Sequence, residues 1–283
     1  MFVSHCRSQH TFSNLLLSSP GYYSFSMKLW ALSDPHLTLA TPQKVMHVFG
    51  EVWRDHPDRI RENWSRLVSP EDVVVLPGDI SWASRLEDAL TDLEFLHRLP
   101  GTKVLLDGNH ERWWNTLSQV RAELPPSVKA ISGDHVEVGS WLVFGTRLWE
   151  TRQIDCDALV AWNQSTDKRP DKRTPEEDQR NEKIFQREIA RLERCVQALP
   201  HRPWLRRICL THYPPLGPDL EPSAASELVE RSGATTCVFG HLHNLKKAPG
   251  GRSRDLFGTA RGVRYVLASA DHLEMVPVLL DET

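Results

Sequence analysis

Five short pieces, in order along the chain, constrain it more than anything else: Asp34-Pro35-His36, Gly78-Asp79, Gly108-Asn109-His110-Glu111, Thr211-His212 and Gly240-His241-Leu242-His243. Nearly every piece follows a short apolar run that reads as a strand, such as Leu29 to Ser33, Asp72 to Leu76, Lys103 to Leu106, and Cys237 to Phe239. The pieces supply carboxylates, imidazoles and one amide in an order that could surround two metal ions. Ligand-type residues at the ends of successive strands are what a hydrolytic metal centre needs.

The stretches between the pieces decide the fold class. Residues Gln43 to Val68 carry helix-like spacing through Val45, Val48, Phe49, Val52, Ile60, Trp64 and Leu67. Ala83 to Leu99 repeats it with Leu86, Leu90, Leu93 and Leu96, and Pro100-Gly101 stops the helix. The first hundred residues therefore read β-α-β-α-β, which favours parallel strands with helices packed outside. The rhythm then changes. Val136 to Val138 and Trp141 to Phe144, joined by Gly139-Ser140, read as a hairpin. The charged, Pro-containing residues 151–182 read as a surface insertion, and the run 167–178 as solvated loop with a lid as the lesser reading. Helices are expected over 176–199 and Ala224 to Arg231, a strand over Arg207 to Leu210, and late strands over Val263 to Ala268 and Glu274 to Leu280.

A chain of 283 residues with 40% hydrophobic and 25% charged content can bury a substantial core without staples. A net charge of −3 advertises no general nucleic-acid binding; a local basic patch stays open. The five cysteines (Cys6, Cys156, Cys195, Cys209 and Cys237) are scattered and form no CxxC pair, which points to a reducing cytoplasm. No stretch approaches a membrane span. Residues 1–26 are polar, Ser-rich and aperiodic, whereas Met27 directly precedes a good first strand. The expectation is a disordered leader or upstream extension over 1–26 and a single domain over 27–283.

Asp34 and His36 are two apart on one exit loop, so both can face one ion. Asp79, at the end of the next strand, is the best candidate to bridge two ions. Asn109 offers a neutral oxygen that limits the anionic charge, and His212, His241 and His243 complete the set. Divalent Mn, Fe, Zn and Co all accept mixed oxygen and imidazole ligands; manganese is the favoured reading.

This ordered set resembles the calcineurin-like metallophosphoesterase superfamily, whose pattern is DxH, GD, GNH[DE], H and GHxH. The longer strings Gly78-Asp79-Ile80-Ser81-Trp82-Ala83, Gly108 to Trp114 and His212-Tyr213-Pro214-Pro215 resemble a small bacterial branch of predicted phosphohydrolases. The resemblance implies an α/β fold, a four-layer αββα sandwich with mixed sheets and the metal site on loops at strand ends. It implies that Asp34, His36, Asp79 and His243 hold one ion. Asp79, Asn109, His212 and His241 would hold the other, and His110 would serve the leaving group. A metal-bridging hydroxide, formed near pH 7 against about 15.7 for bulk water, would attack phosphorus in line. Two departures stand out. Pro35 replaces a more usual Leu, Thr or Ile, and the second acid of the common GDxxD form is absent, with Trp82 and Ala83 in that region.

Other residues have plainer readings beside the functional ones. Eight of the thirteen histidines lie outside the motifs and receive no role. Trp82, Trp113, Trp114 and Trp149 invite a base-stacking reading, but packing is the favoured one. Arg112 and Arg147 could bind substrate phosphate; surface or ion-pair roles are equally compatible. The expected activity is hydrolysis of a small-molecule phosphate ester, a small or nucleotide-like diester being slightly preferred over a monoester. A non-catalytic interaction protein on this scaffold should have lost ligands, and none is lost. A carbon-ester or lactam hydrolase would want an HxHxDH-type cluster, which is absent.

Overall fold

The computed structural model describes Met1 and residues 26–162, 173–246 and 257–283. The expected leader falls almost wholly on residues 2–25, and much of the charged run on 163–172, outside the described residues. The strands are β1 (Lys28–Ala31), β2 (Val73–Pro77), β3 (Thr102–Leu106), β4 (Val128–Ile131), β5 (Asp134–Val138), β6 (Trp141–Gly145), β7 (Arg206–Leu210), β8 (Thr236–Phe239), β9 (Thr259–Ala260), β10 (Val263–Leu267) and β11 (Val278–Glu282). The α-helices are α1 (His56–Leu67), α2 (Leu86–Arg98), α3 (Leu117–Glu123), α4 (Pro175–Gln197) and α5 (Ala224–Arg231).

These strands form two mixed sheets, ordered β11-β1-β2-β3-β4 and β5-β6-β7-β8-β10-β9. Strands β1 to β4 run parallel, with β11 antiparallel at one edge. Strands β6, β7, β8 and β10 are also parallel, flanked by antiparallel β5 and β9. The strand period of two shows how the layers stack. Trp141 and Val143 of β6, Ile208 and Leu210 of β7, and Val238 of β8 join the core built on the first sheet and α1 to α3. Their neighbours Leu142, Phe144, Cys209, Cys237 and Phe239 point the other way, into a second core with Leu192 of α4 and Leu228 of α5. The architecture is thus helices, sheet, sheet, helices. Strand β2 is Val-rich and buried on both faces, as a central parallel strand must be.

The helix expected over Gln43 to Val68 is corrected. Short 3-10 turns at Met46–Phe49 and Glu51–Trp53 precede α1, which begins only at His56. Gly50 sits at φ 135 and Asp55 at φ 50, conformations no right-handed helix continues through. Val45, Val48 and Phe49 lie exposed at 44, 68 and 45%, so their helical spacing buries no common face. Two boundaries also move: α2 starts at Leu86 rather than Ala83, and the last strand is Val278–Glu282. Among the described residues, no helix is long and apolar enough to cross a membrane.

Candidate metal centre

Every sequence-predicted ligand leaves the carboxyl end of a parallel strand, the usual place for a site in such sheets. Asp34 and His36 follow β1, Asp79 follows β2, and Asn109 and His110 follow β3. From the other sheet, His212 follows β7 and His241 and His243 follow β8. The two sheets meet here through backbone hydrogen bonds from Ser33 N to the Ala268 carbonyl (2.7 Å) and from Ala270 N to the Ser33 carbonyl (2.9 Å). Close approach explains two of the motif glycines. A Cβ on Gly108 would collide with the Asp79 carboxylate, and one on Gly240 with Asp34 and Ser33.

The ligand-bearing backbone is strained. Asp34, His36, Asp79 and His241 all have positive φ, between 43 and 68°. Non-glycine residues adopt this region rarely, and clusters of such conformations accompany functional sites.

One ligand atom each from Asp34, His36, Asp79 and His243 lies within 4.8 Å of the others. His36 Nε2 and His243 Nε2 approach to 3.2 Å, and His243 Nε2 stands 3.4 Å from Asp34 Oδ1. A second group adjoins it. Asn109 Oδ1 lies 2.8 Å from His212 Nε2 and 3.1 Å from His241 Nδ1. The groups meet at one atom: Asp79 Oδ2 is 3.5 Å from His212 Nε2, 3.7 Å from His36 Nε2 and 3.9 Å from His110 Nε2. Its partner oxygen accepts the His110 backbone N–H at 2.9 Å. Asp34, Asp79, His36 and His212 are buried, and His110 is half-buried. A buried, converging set of carboxylate, imidazole and amide donors fits divalent transition metals.

A supporting shell orients these donors, and sequence reasoning missed it. His212 Nδ1 faces the Pro77 carbonyl at 3.0 Å, so that nitrogen donates to the carbonyl and the ring is held with Nε2 toward the other donors. His243 Nδ1 lies 2.8 Å from Asp271 Oδ1, which fixes its ring the same way. Asp271 follows β10, so it too sits at a strand end; that placement was its only signal. Glu111 accepts backbone N–H bonds from Gly108 (2.6 Å), Asp79 (3.0 Å), Ile80 and Ser81 (3.3 Å), joining the second and third ligand loops.

The electrostatics follow from this crowding. Burial works to raise the Asp34 carboxyl, but the His243 hydrogen bond and the neighbouring imidazoles win and hold it at about 2. Burial pushes His36 and His241 down to about 3. It opposes charge on His212 as well, yet Asp79 outweighs it and lifts that imidazole to about 9. Burial and the Asp79 charge push Glu111 up, while the backbone N–H bonds that it accepts favour its carboxylate form.

Arg112 is exposed on the turn after His110. Arg147 is half-buried, 3.8 Å from Asp107 and 4.0 Å from Glu188, with its guanidinium 4.9 Å from the Trp149 ring. Trp113 is fully buried in the core and Trp114 packs on it at 5.3 Å, as the packing reading expected. Trp82 lies against His110, ring centroids 4.5 Å apart. Trp149, in contrast, lines a cavity of about 790 Å³ that opens beside Asn109, His110, His241 and His243.

A buried nest of carboxylates and imidazoles where two sheets meet is a donor set that suits divalent metal ions. The chain belongs to the calcineurin-like phosphoesterase family, whose model matches residues 27–245. Among curated proteins it is similar to Gene 66 protein of Mycobacterium phage D29, at 31% identity over 124 residues, which cover 39% of this chain and 60% of that protein. The chain thus spans about 60% of that relative's length. Solved structures similar to it include calcineurin-like phosphoesterase YfkN from Bacillus subtilis, at 13% identity and TM-score 0.49, covering 91% of this chain and 89% of that one. Phosphopantetheinyl Hydrolase (PptH) from Mycobacterium tuberculosis matches at 17% identity and TM-score 0.45, covering 86 and 89%.

Proposed function

We propose that the protein hydrolyses small-molecule phosphate esters at a dinuclear metal centre, in the cytoplasm, with a small or nucleotide-like phosphodiester preferred over a monoester. The observation that carries this reading is the convergence of three imidazoles on Asp79 Oδ2, between two donor sets. Asp34, His36, Asp79 and His243 would hold one ion; Asp79, Asn109, His212 and His241 would hold the other. Manganese is the favoured occupant among Mn, Fe, Zn and Co, all of which accept this donor mixture. Such ions, when bound, supply Lewis acidity toward phosphoryl oxygens and acidify water enough for it to act as a nucleophile near neutral pH.

The chain's own residues do the rest. Asp34 and Asp79 stay ionised, because both are held below the ordinary carboxylate range despite burial. His36 and His241 stay neutral and present lone pairs, because burial keeps them near 3. His110, half-buried and tied by its backbone to Asp79, hands a proton to the departing alkoxide. The exposed Arg112 is available to steer the phosphate; Arg147, already beside two carboxylates, acts more through what it supports.

Parallel assays of metal-loaded protein with an aryl phosphomonoester and a bis-aryl phosphodiester test the activity and rank the two classes. Turnover of the diester at higher kcat/KM is expected. Faster monoester turnover would reverse the preference, and turnover of neither would overturn the reading.

A further inference from the structure

The cavity beside the proposed ligands is lined by two kinds of side chain. Asn109, His110, His241 and His243 line it, and so do the rings of Trp149, Tyr213 and Trp162. Its volume of about 790 Å³ leaves room for a group of nucleoside size beyond the phosphorus.

Trp149 is held in a fixed attitude. Its indole N–H donates to Asn181 Oδ1 of α4 at 3.2 Å. The Arg147 guanidinium lies over its ring at 4.9 Å and is itself beside Asp107 and Glu188. Trp149 is part of the cavity wall and Arg147 is not, so the cation backs the ring from behind. Tyr213 stands 5.0 Å from Trp149 at an interplanar angle of 43°, and its other neighbour is His241, with ring centroids 4.0 Å apart. Trp149 and Tyr213 thus form an aromatic corner that reaches the proposed ligand His241 through the Tyr213 ring.

Of the charged side chains of this wall, Arg173 and Arg152 are held in ion pairs, and Asp155 and Asp157 line it too. Arg173 pairs with Glu150 at 2.6 Å, and Arg152 with Asp178 at 2.9 Å. Among the described residues of this wall, the aromatic corner is the part that offers a flat apolar face to the ester beyond the phosphate.

Resting on the phosphoesterase reading above, we infer that this corner selects esters whose alcohol carries a flat ring, a nucleoside rather than an open-chain polyol, by stacking that ring on Trp149. The indole is pre-ordered by Asn181 and Arg147, so little freedom is lost when the ring arrives. Stacking tolerates any planar base, which makes the expected selectivity one of shape rather than of hydrogen-bonding pattern.

The test compares adenosine 5′-phosphate and its methyl diester with glycerol 1-phosphate and its methyl diester, using metal-loaded protein. All four release a primary alkoxide or methoxide, so intrinsic reactivity is matched within each pair. The native protein should favour the adenosine esters by tenfold or more in kcat/KM. Trp149→Leu, which keeps apolar bulk but no ring, should cut that adenosine-to-glycerol ratio by about tenfold, mainly through KM, and Trp149→Phe should restore most of it. Unchanged metal content would certify that both variants fold. A native ratio near one, or a ratio unmoved in Trp149→Leu, overturns the inference while leaving the phosphoesterase reading intact. If none of the four esters is turned over, the phosphoesterase reading fails, and calorimetric binding decides the pocket by itself. Tighter binding of adenosine 5′-phosphate than of glycerol 1-phosphate, lost in Trp149→Leu, supports the inference; equal binding overturns it.

Discussion

The Glu111 carboxylate accepts the backbone N–H of Asp79 at 3.0 Å, and in doing so joins two ligand loops. Its two oxygens also take N–H bonds from Gly108, Ile80 and Ser81. Four donors around one buried acceptor leave no place for another donor. Glu111→Gln introduces an amide NH₂ against those N–H groups, so the loops carrying Asp79 and Asn109 must separate. Metal affinity is expected to fall about 10–100-fold, the usual cost of losing an outer support. Metal titration of the purified variant checks this, and native affinity would contradict it.

Asp271 should matter for a similar reason. It receives His243 Nδ1 at 2.8 Å and the Asn244 backbone N–H at 2.9 Å. Asp271→Asn removes the charge that holds the imidazole in one tautomer. Affinity at the Asp34–His36–Asp79–His243 group should drop about 10–100-fold with the fold preserved. The expected signature is a loss of occupancy at limiting metal that excess metal restores.

His110 stands apart from the proposed ligands as the group assigned to the leaving alcohol. His110→Ala should keep its metal, while turnover falls by roughly 10²–10⁴. Esters with strongly acidic leaving groups should suffer least, because their departure needs no proton. Unaltered turnover of an alkyl ester would refute the assignment.

The metal-stripped protein should have a distinct pH profile of stability. His36 and His241, at about 3 against an ordinary 6.5, take up protons on unfolding, so stability rises with pH between 3 and 6.5. His212, raised to about 9, contributes fully below 6.5 and loses that contribution as pH climbs through 9. Denaturant midpoints of stripped protein should therefore peak near pH 6.5 and fall by pH 9. A bound cation beside Asp79 replaces the stabilising proton of His212, so metal loading should flatten the alkaline fall. A stripped protein that gains stability toward pH 9 would contradict this account.

The sequence displays the ligands because each motif is contiguous and each follows an apolar run, so Asp34, Asp79, Asn109, His212 and His241 could be assigned to strand ends directly. The alternating first hundred residues likewise announce the parallel sheet. Other features depend on pairings distant in the chain. Asp271 lies 28 residues from His243, and nothing local marks its carboxylate. Trp149 depends on Asn181, 32 residues away in α4, for its attitude. The expected helix over Gln43 to Val68 fails only before α1, and for a local cause: spacing at Val45, Val48 and Phe49 imitates an amphipathic face, while Gly50 at φ 135 breaks the backbone that would carry it.

Metal stoichiometry tests the central claim most directly. Protein purified without chelators, or reconstituted with manganese, should hold about two divalent ions per chain, and Asp79→Asn should lose metal and turnover together because that carboxylate is proposed to serve both ions. A native protein that binds no metal after reconstitution, or an Asp79→Asn variant that keeps full occupancy, would contradict it.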